Sequence, residues 1–113
     1  MNRIYARDCE IKSLGRDVTN EFLEENHNQG SAFFVVSYGL YYEDVLVQLM
    51  TFGKPRFNKH YSWEIIRDCT KKDTQVIGGA SKIWKHFLDE NNVRSCIVYS
   101  YPHEGELSMV INC

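Results

Sequence analysis

The spacing of apolar positions changes period several times along the chain, and each change marks an element. Cys9–Lys12 ("CEIK") alternates and predicts a short strand. Over Arg16–Asn28, Val18, Phe22 and Leu23 recur at helical spacing with acidic residues between them, which predicts an amphipathic helix stopped by Gly30. Ala32–Tyr42 ("AFFVVSYGLYY") is dense in β-branched and aromatic residues and too apolar for an edge strand. Glu43-Asp44 fits a two-residue turn. Val45–Phe52 is apolar on both faces, as expected of a central strand covered on both sides. A polar loop, Gly53–His60, leads into a third long strand, Tyr61–Thr70, completing an antiparallel meander.

Residues 71–79 read as a connection. Ala80–Asn92 then sets Ile83, Trp84, Phe87 and Leu88 on one helical face, and Lys82, Lys85, His86, Asp89 and Glu90 on the other. Val93–Tyr101 reads as a buried strand, 102–106 as a turn, and Leu107–Cys113 as a last short strand. The expected fold is α+β (mixed α/β). A largely antiparallel central sheet, in the order β-α-β-β-β-α-β, carries packed helices over a single domain, 1–113.

Composition narrows the function classes. Hydrophobic residues make up 43% and charged residues 25% of the 113 positions, which excludes a disordered chain. No apolar run approaches the ~20 residues of a membrane span, and the N-terminus lacks a signal-peptide core, so a cytoplasmic location without membrane contact is expected. The net charge of -2 provides no global basic field, so nucleic acid would have to be held by a local patch. Cys9, Cys69, Cys96 and Cys113 are widely spaced and form no CxxC pair. They read as reduced, mostly buried thiols, and no cluster has the spacing of a metal site.

The stretch "TQVIGGASKIWKHF" sets two glycines directly before the best helix in the chain. A helix N-terminus offers unpaired N–H groups and a partial positive charge, and small residues there let a phosphate come close. The same glycines also suit a tight turn packed against a sheet. Gln75, Gly78 and Ala80 match, position for position, the Gln/Arg-x-x-Gly-x-Gly/Ala turn of the GNAT acyltransferase superfamily, and the element order resembles that superfamily over about residues 9–101. The resemblance implies acetyl-CoA or another acyl-CoA as cofactor. Its pyrophosphate would be held around Gln75, Ile77, Gly78, Gly79, Ala80 and Ser81, and its pantetheine arm between the strands flanking the helix.

"NHNQG" (26–30), "LMTFGKPRFN" (49–58) and "GGASKIWKHF" (78–87) resemble more closely a domain of bacteriophage proteins often attached to homing-endonuclease-type nucleases. Superfamily members usually continue into a further helix whose Tyr protonates the departing thiolate. Here twelve residues containing Pro102 and Gly105 follow Tyr101 and leave no room for that helix. Acyl transfer and binding without turnover are both compatible with such an ending.

Other residues bear on the acceptor side. Glu64, flanked by Trp63 and Ile65, lies where the superfamily often places a general base, and burial would raise its pKa accordingly. The alternative is an outward-facing Glu on an alternating strand. His27 in "ENHNQG" can bind substrate or act as acid/base, or can simply close the first helix. Lys54, Arg56, Phe57, Lys59 and His60 form a basic loop with one aromatic. It is suited to nucleic acid or to a host protein, or is a solvated hairpin loop. Lys71, Lys72, Lys82 and Lys85 extend this patch beside the glycine turn or meet the coenzyme phosphates instead. Glu21, Glu24 and Glu25 read as a solvated helix face. Two functions follow: an acyl-CoA-binding or N-acyltransferase domain, or a non-enzymatic phage binding module acting through residues 54–60. A short last strand also permits a homodimer by edge pairing.

Overall fold

A computed structural model of the protein describes residues 2–54, 62–93, 97–99 and 110–112. In chain order the elements are β1 (Asn2–Tyr5), a 3-10 turn (Ala6–Asp8), β2 (Glu10–Ser13), α1 (Arg16–Asn26), β3 (Val36–Tyr42) and β4 (Val45–Gly53). They are followed by β5 (Ser62–Thr70), β6 (Thr74–Ile77), α2 (Gly79–Glu90), β7 (Ile97–Tyr99) and β8 (Val110–Asn112). The domain is mixed α+β, with a mostly antiparallel sheet and two helices.

The meander is centred on the β3–β4 hairpin. Glu43 (φ 49°) and Asp44 (φ 66°) both take left-handed backbone, the geometry whose twist matches paired strands in a two-residue loop. β2 and β5 flank this hairpin antiparallel, β7 lies parallel to β5, and β8 closes the order β2-β3-β4-β5-β7-β8. Val47–Gly53 is buried throughout, as a central strand with helices on both faces must be.

Alternation along β4 sorts the two cores. Met50 and Phe52 face α2, where Ile83 and Phe87 are fully buried. Phe87 stacks on Phe52 at 3.9 Å and meets Trp63 edge-on at 5.1 Å. Ring pairs of this kind contribute about 0.5–1.5 kcal/mol beyond the area they bury. Leu49 faces the other way, toward Phe22 and Leu23 of α1. Under α1 the Thr19 hydroxyl bonds the Gly15 carbonyl at 2.7 Å and the Ser37 hydroxyl at 2.9 Å.

Several boundaries differ from expectation. The first long strand begins at Val36 rather than Ala32, because residues 31–35 run beside the sheet with Phe33 88% exposed. α1 ends at Asn26, where the Asn26 amide donates to the Phe22 carbonyl and His27 takes extended backbone. The stretch read as a connection contains β6, which pairs in parallel with the unexpected β1 as a separate two-stranded ribbon.

The left-handed turn residues carry Cβ atoms where glycine would be relaxed. The double substitution Glu43→Asn/Asp44→Gly is expected to stabilise the protein by about 1 kcal/mol. A higher urea midpoint with an unchanged slope is the expected readout.

Candidate functional site

β6 delivers the chain to Gly78, whose φ of 78° is left-handed and whose residue caps α2 without a side-chain hydrogen bond. The first helical bond runs from the Lys82 N–H to the Gly78 carbonyl at 3.0 Å. The N–H groups of Gly79, Ala80 and Ser81 therefore have no acceptor among the described residues. Gly78, Ala80 and Ser81 are exposed, as are Gln75 and Ile77.

Gly79 is buried, for a different reason from Gly78's. A Cβ there would overlap the amide oxygen of Gln48 and lie 2.9 Å from its Cδ and 3.0 Å from Val76 Cγ1. Gln48, only 4% exposed, donates from Nε2 to Asp68 Oδ1 at 3.0 Å, while its Oε1 has no donor among the described residues. One glycine thus supplies backbone handedness, and the next admits a side chain of the sheet beneath the helix. The inner side of the turn is filled and the outer side is open.

Lys82 is not on a solvent face. Its ammonium donates to the Ala6 carbonyl at 3.0 Å and the Cys9 carbonyl at 2.7 Å, because the N-terminal segment packs over that side of α2. His86 likewise is half-buried, edge-on to Tyr38 at 5.0 Å and 3.8 Å from Glu90.

Glu64 sits in β5 opposite Gly53 of β4 and Tyr99 of β7. It is 9% exposed, with no hydrogen-bond or ion-pair partner among the described residues, and burial raises its pKa. The outward-facing alternative does not hold. β7 pairs with β5 only over Ser62–Glu64. From Ile65 to Thr70 the β7-side edge of β5 has no strand partner among the described residues. Gln48, beneath the glycine turn, pairs with Thr70, so turn and carboxyl lie at opposite ends of β5, about 20 Å apart.

His27 closes α1 and is half-buried, and its Nδ1 accepts the Gln29 N–H at 3.0 Å, so that nitrogen carries no proton. The loop after it is tied down at several points. Arg67 donates to the Gly30 carbonyl at 3.0 Å, and the Lys72 N–H to Asn26 Oδ1 at 3.0 Å. The Glu24 carboxylate accepts from the Ser31 hydroxyl and N–H, bonds that lower its pKa. Glu24 stays on the exposed helix face and also clasps the loop.

Of the basic loop, Lys54 is exposed with its ammonium 5.2 Å from the Trp63 ring centre; Arg56, Phe57, Lys59 and His60 lie outside the described residues. Cys9 and Cys69 are buried free thiols, and burial beside Asp68 pushes Cys69 up to about 11. Cys96 and Cys113 lie outside the described residues. Among the described residues no group of His, Cys, Asp and Glu could hold a metal, and no helix is long and apolar enough to cross a membrane.

A further cleft, of about 740 Å³, opens between the start of α1 and residues 31–35, lined among others by Arg16, Asn20, Phe33 and Val35. The apolar run there read as strand, so nothing in its pattern announced a cleft. Comparison with protein-family models, curated proteins and solved structures finds no match to this chain.

Gly79→Ala should destabilise the fold by about 1–3 kcal/mol through overlap with Gln48. In a Gln48→Ala background that penalty should fall below half, read as a double-mutant cycle in urea. Glu64→Gln should make the protein more stable than wild type at pH 7. A carboxyl whose folded pKa is raised is protonated in both states at low pH, so the burial penalty appears only as pH rises from the unfolded value through the folded one. The advantage of the variant should therefore vanish near pH 4 and below.

Proposed function

We propose that this chain is an acyl-CoA-binding domain of the GNAT-like type, related to the phage domain named above, with Glu64 as the base for an amine acceptor. The observation that carries the reading is the edge of β5 from Ile65 to Thr70, which has no strand partner among the described residues. It starts beside Glu64 and ends at Thr70, which pairs with Gln48 beneath the glycine turn. A pantetheine arm has amides that can pair with such an edge as an added strand would. A pyrophosphate at the outer side of the turn would meet the N–H groups of Ala80 and Ser81 and the positive end of the helix.

The bound coenzyme would supply an acyl thioester. Glu64 would accept a proton from the acceptor amine, a task suited to a carboxyl whose pKa is raised by burial. His27 is half-buried at the end of α1, and we assign it to the acceptor side, to bind substrate or act as acid/base.

The second reading is a phage-derived module contacting nucleic acid or a host protein through residues 54–60. Among the described residues of that loop, the exposed Lys54 ammonium supports it. Edge pairing into a homodimer would go through β8, the last strand, which stands at one end of the six-stranded order.

Acetyl-CoA at about 100 times its Kd should stabilise the protein by about 2.7 kcal/mol in a thermal-shift titration. Ser81→Asp separates helix from ligand. An anion in the first turn favours the helix by about 0.3–1 kcal/mol and repels pyrophosphate. The unliganded variant should melt higher and lose the acetyl-CoA shift. An unmoved wild-type melting curve at millimolar acetyl-CoA would refute the reading.

A further inference from the structure

The β1/β6 ribbon has one face toward the core and one toward solvent. Ile4 and Val76 pack inward against the α2-side core. By alternation Arg3 and Tyr5 of β1, with Gln75 and Ile77 of β6, face outward. The register pairs Arg3 with Gln75 and Tyr5 with Ile77, so the two apolar side chains lie side by side. They are 41% and 38% exposed, among the few large hydrophobic residues left open to water. The guanidinium of Arg7 lies over the Tyr5 ring, 5.1 Å from its centre. Neither Arg3 nor Arg7 forms an ion pair among the described residues, not even with the neighbouring Asp8. Ile77 runs directly into Gly78 and the open amides of α2. A flat, partly apolar surface with two unneutralised arginines therefore adjoins the place where a pyrophosphate would sit.

We propose that this outward face is the nucleotide subsite of the coenzyme. The purine packs on the Tyr5–Ile77 pair, and Arg3 and Arg7 take the 3′-phosphate. The inference rests on the acyl-CoA reading and names the part of the ligand that the glycine turn leaves unexplained. Stacking on an aromatic ring supplies apolar contact without sequence readout, and a guanidinium fork is the side chain best matched to a phosphate. The Lys82 ammonium, bound to the Ala6 and Cys9 carbonyls, holds the end of β1 and the start of α2 together, so ribbon and turn form one surface.

The test titrates the full chain with CoA, 3′-dephospho-CoA and 4′-phosphopantetheine. Wild type should bind CoA about tenfold more tightly than 3′-dephospho-CoA, and the latter more tightly than 4′-phosphopantetheine. Tyr5→Ala should weaken CoA about tenfold and leave 4′-phosphopantetheine unchanged, while Tyr5→Phe keeps wild-type affinity. Arg3→Gln/Arg7→Gln should erase the preference for CoA over 3′-dephospho-CoA. Circular dichroism checks that each variant is folded, and retained 4′-phosphopantetheine binding checks the turn. If Tyr5→Ala or the double variant binds all three ligands as wild type does, the subsite is wrong and the acyl-CoA reading stands. If wild type binds none of the three, both fall. If it binds a single-stranded oligonucleotide instead, the face belongs to nucleic acid.

Discussion

The contact between Gln48 and Gly79 sets the position of everything at this end of the molecule. β4 is the central strand of the meander, and α2 begins where a glycine lets the strand's side chain come up against the helix backbone. Any side chain at 79 would hold the helix away from the sheet. Asp68 takes the amide nitrogen of Gln48, which turns the oxygen toward the positive end of α2. A buried carbonyl without a donor is costly by about 1–3 kcal/mol, and the helix dipole returns part of that. The same geometry leaves the outer amides of the turn uncapped. A polar group inside and open N–H groups outside are two consequences of one close approach.

The second constraint is Lys82. Its ammonium satisfies two carbonyls at the end of the N-terminal ribbon, so burying part of its charge is matched by two charge-assisted bonds. Through it the first turn of α2 is tied to the 3-10 turn and the residue that follows it. Without that tie a two-stranded ribbon of four-residue strands would be marginal in water. The outward pair Tyr5–Ile77 would then have no fixed relation to the glycine turn.

Local pattern made some of this legible and left the rest hidden. The amphipathic face of α2 and the β3–β4 hairpin with its Glu43-Asp44 turn follow from spacing alone, because each depends on residues close in sequence. The ribbon does not. β1 and β6 are four residues each, half polar, and paired across about seventy positions, so neither carries a period long enough to read. Lys82 seemed a surface residue only because the segment that covers it was not visible as structure. Glu64 also pairs with a strand far along the chain, and its burial is not something alternation within β5 reveals. The glycine pair announced an unusual turn, but not that Gly78 serves backbone handedness and Gly79 serves packing.

The separation of the two ends of β5 has an electrostatic consequence for the acyl-CoA reading. Burial raises the Glu64 pKa. A pyrophosphate at α2 would lie about 20 Å away, beyond the screening length of about 8 Å at physiological salt. Even unscreened, unit charges at that distance interact by only about 0.2–0.8 kcal/mol for effective dielectric constants of about 80 to 20. The anion would therefore leave the carboxyl's proton affinity nearly unchanged, and the base would have the same strength with the coenzyme bound or absent. Had the carboxyl stood beside the glycine turn, each phosphate would have raised its pKa further, and the base would be neutral when the acceptor arrives. On the acyl-CoA reading, placing burial at one end of a strand and the helix dipole at the other would keep the two tasks independent.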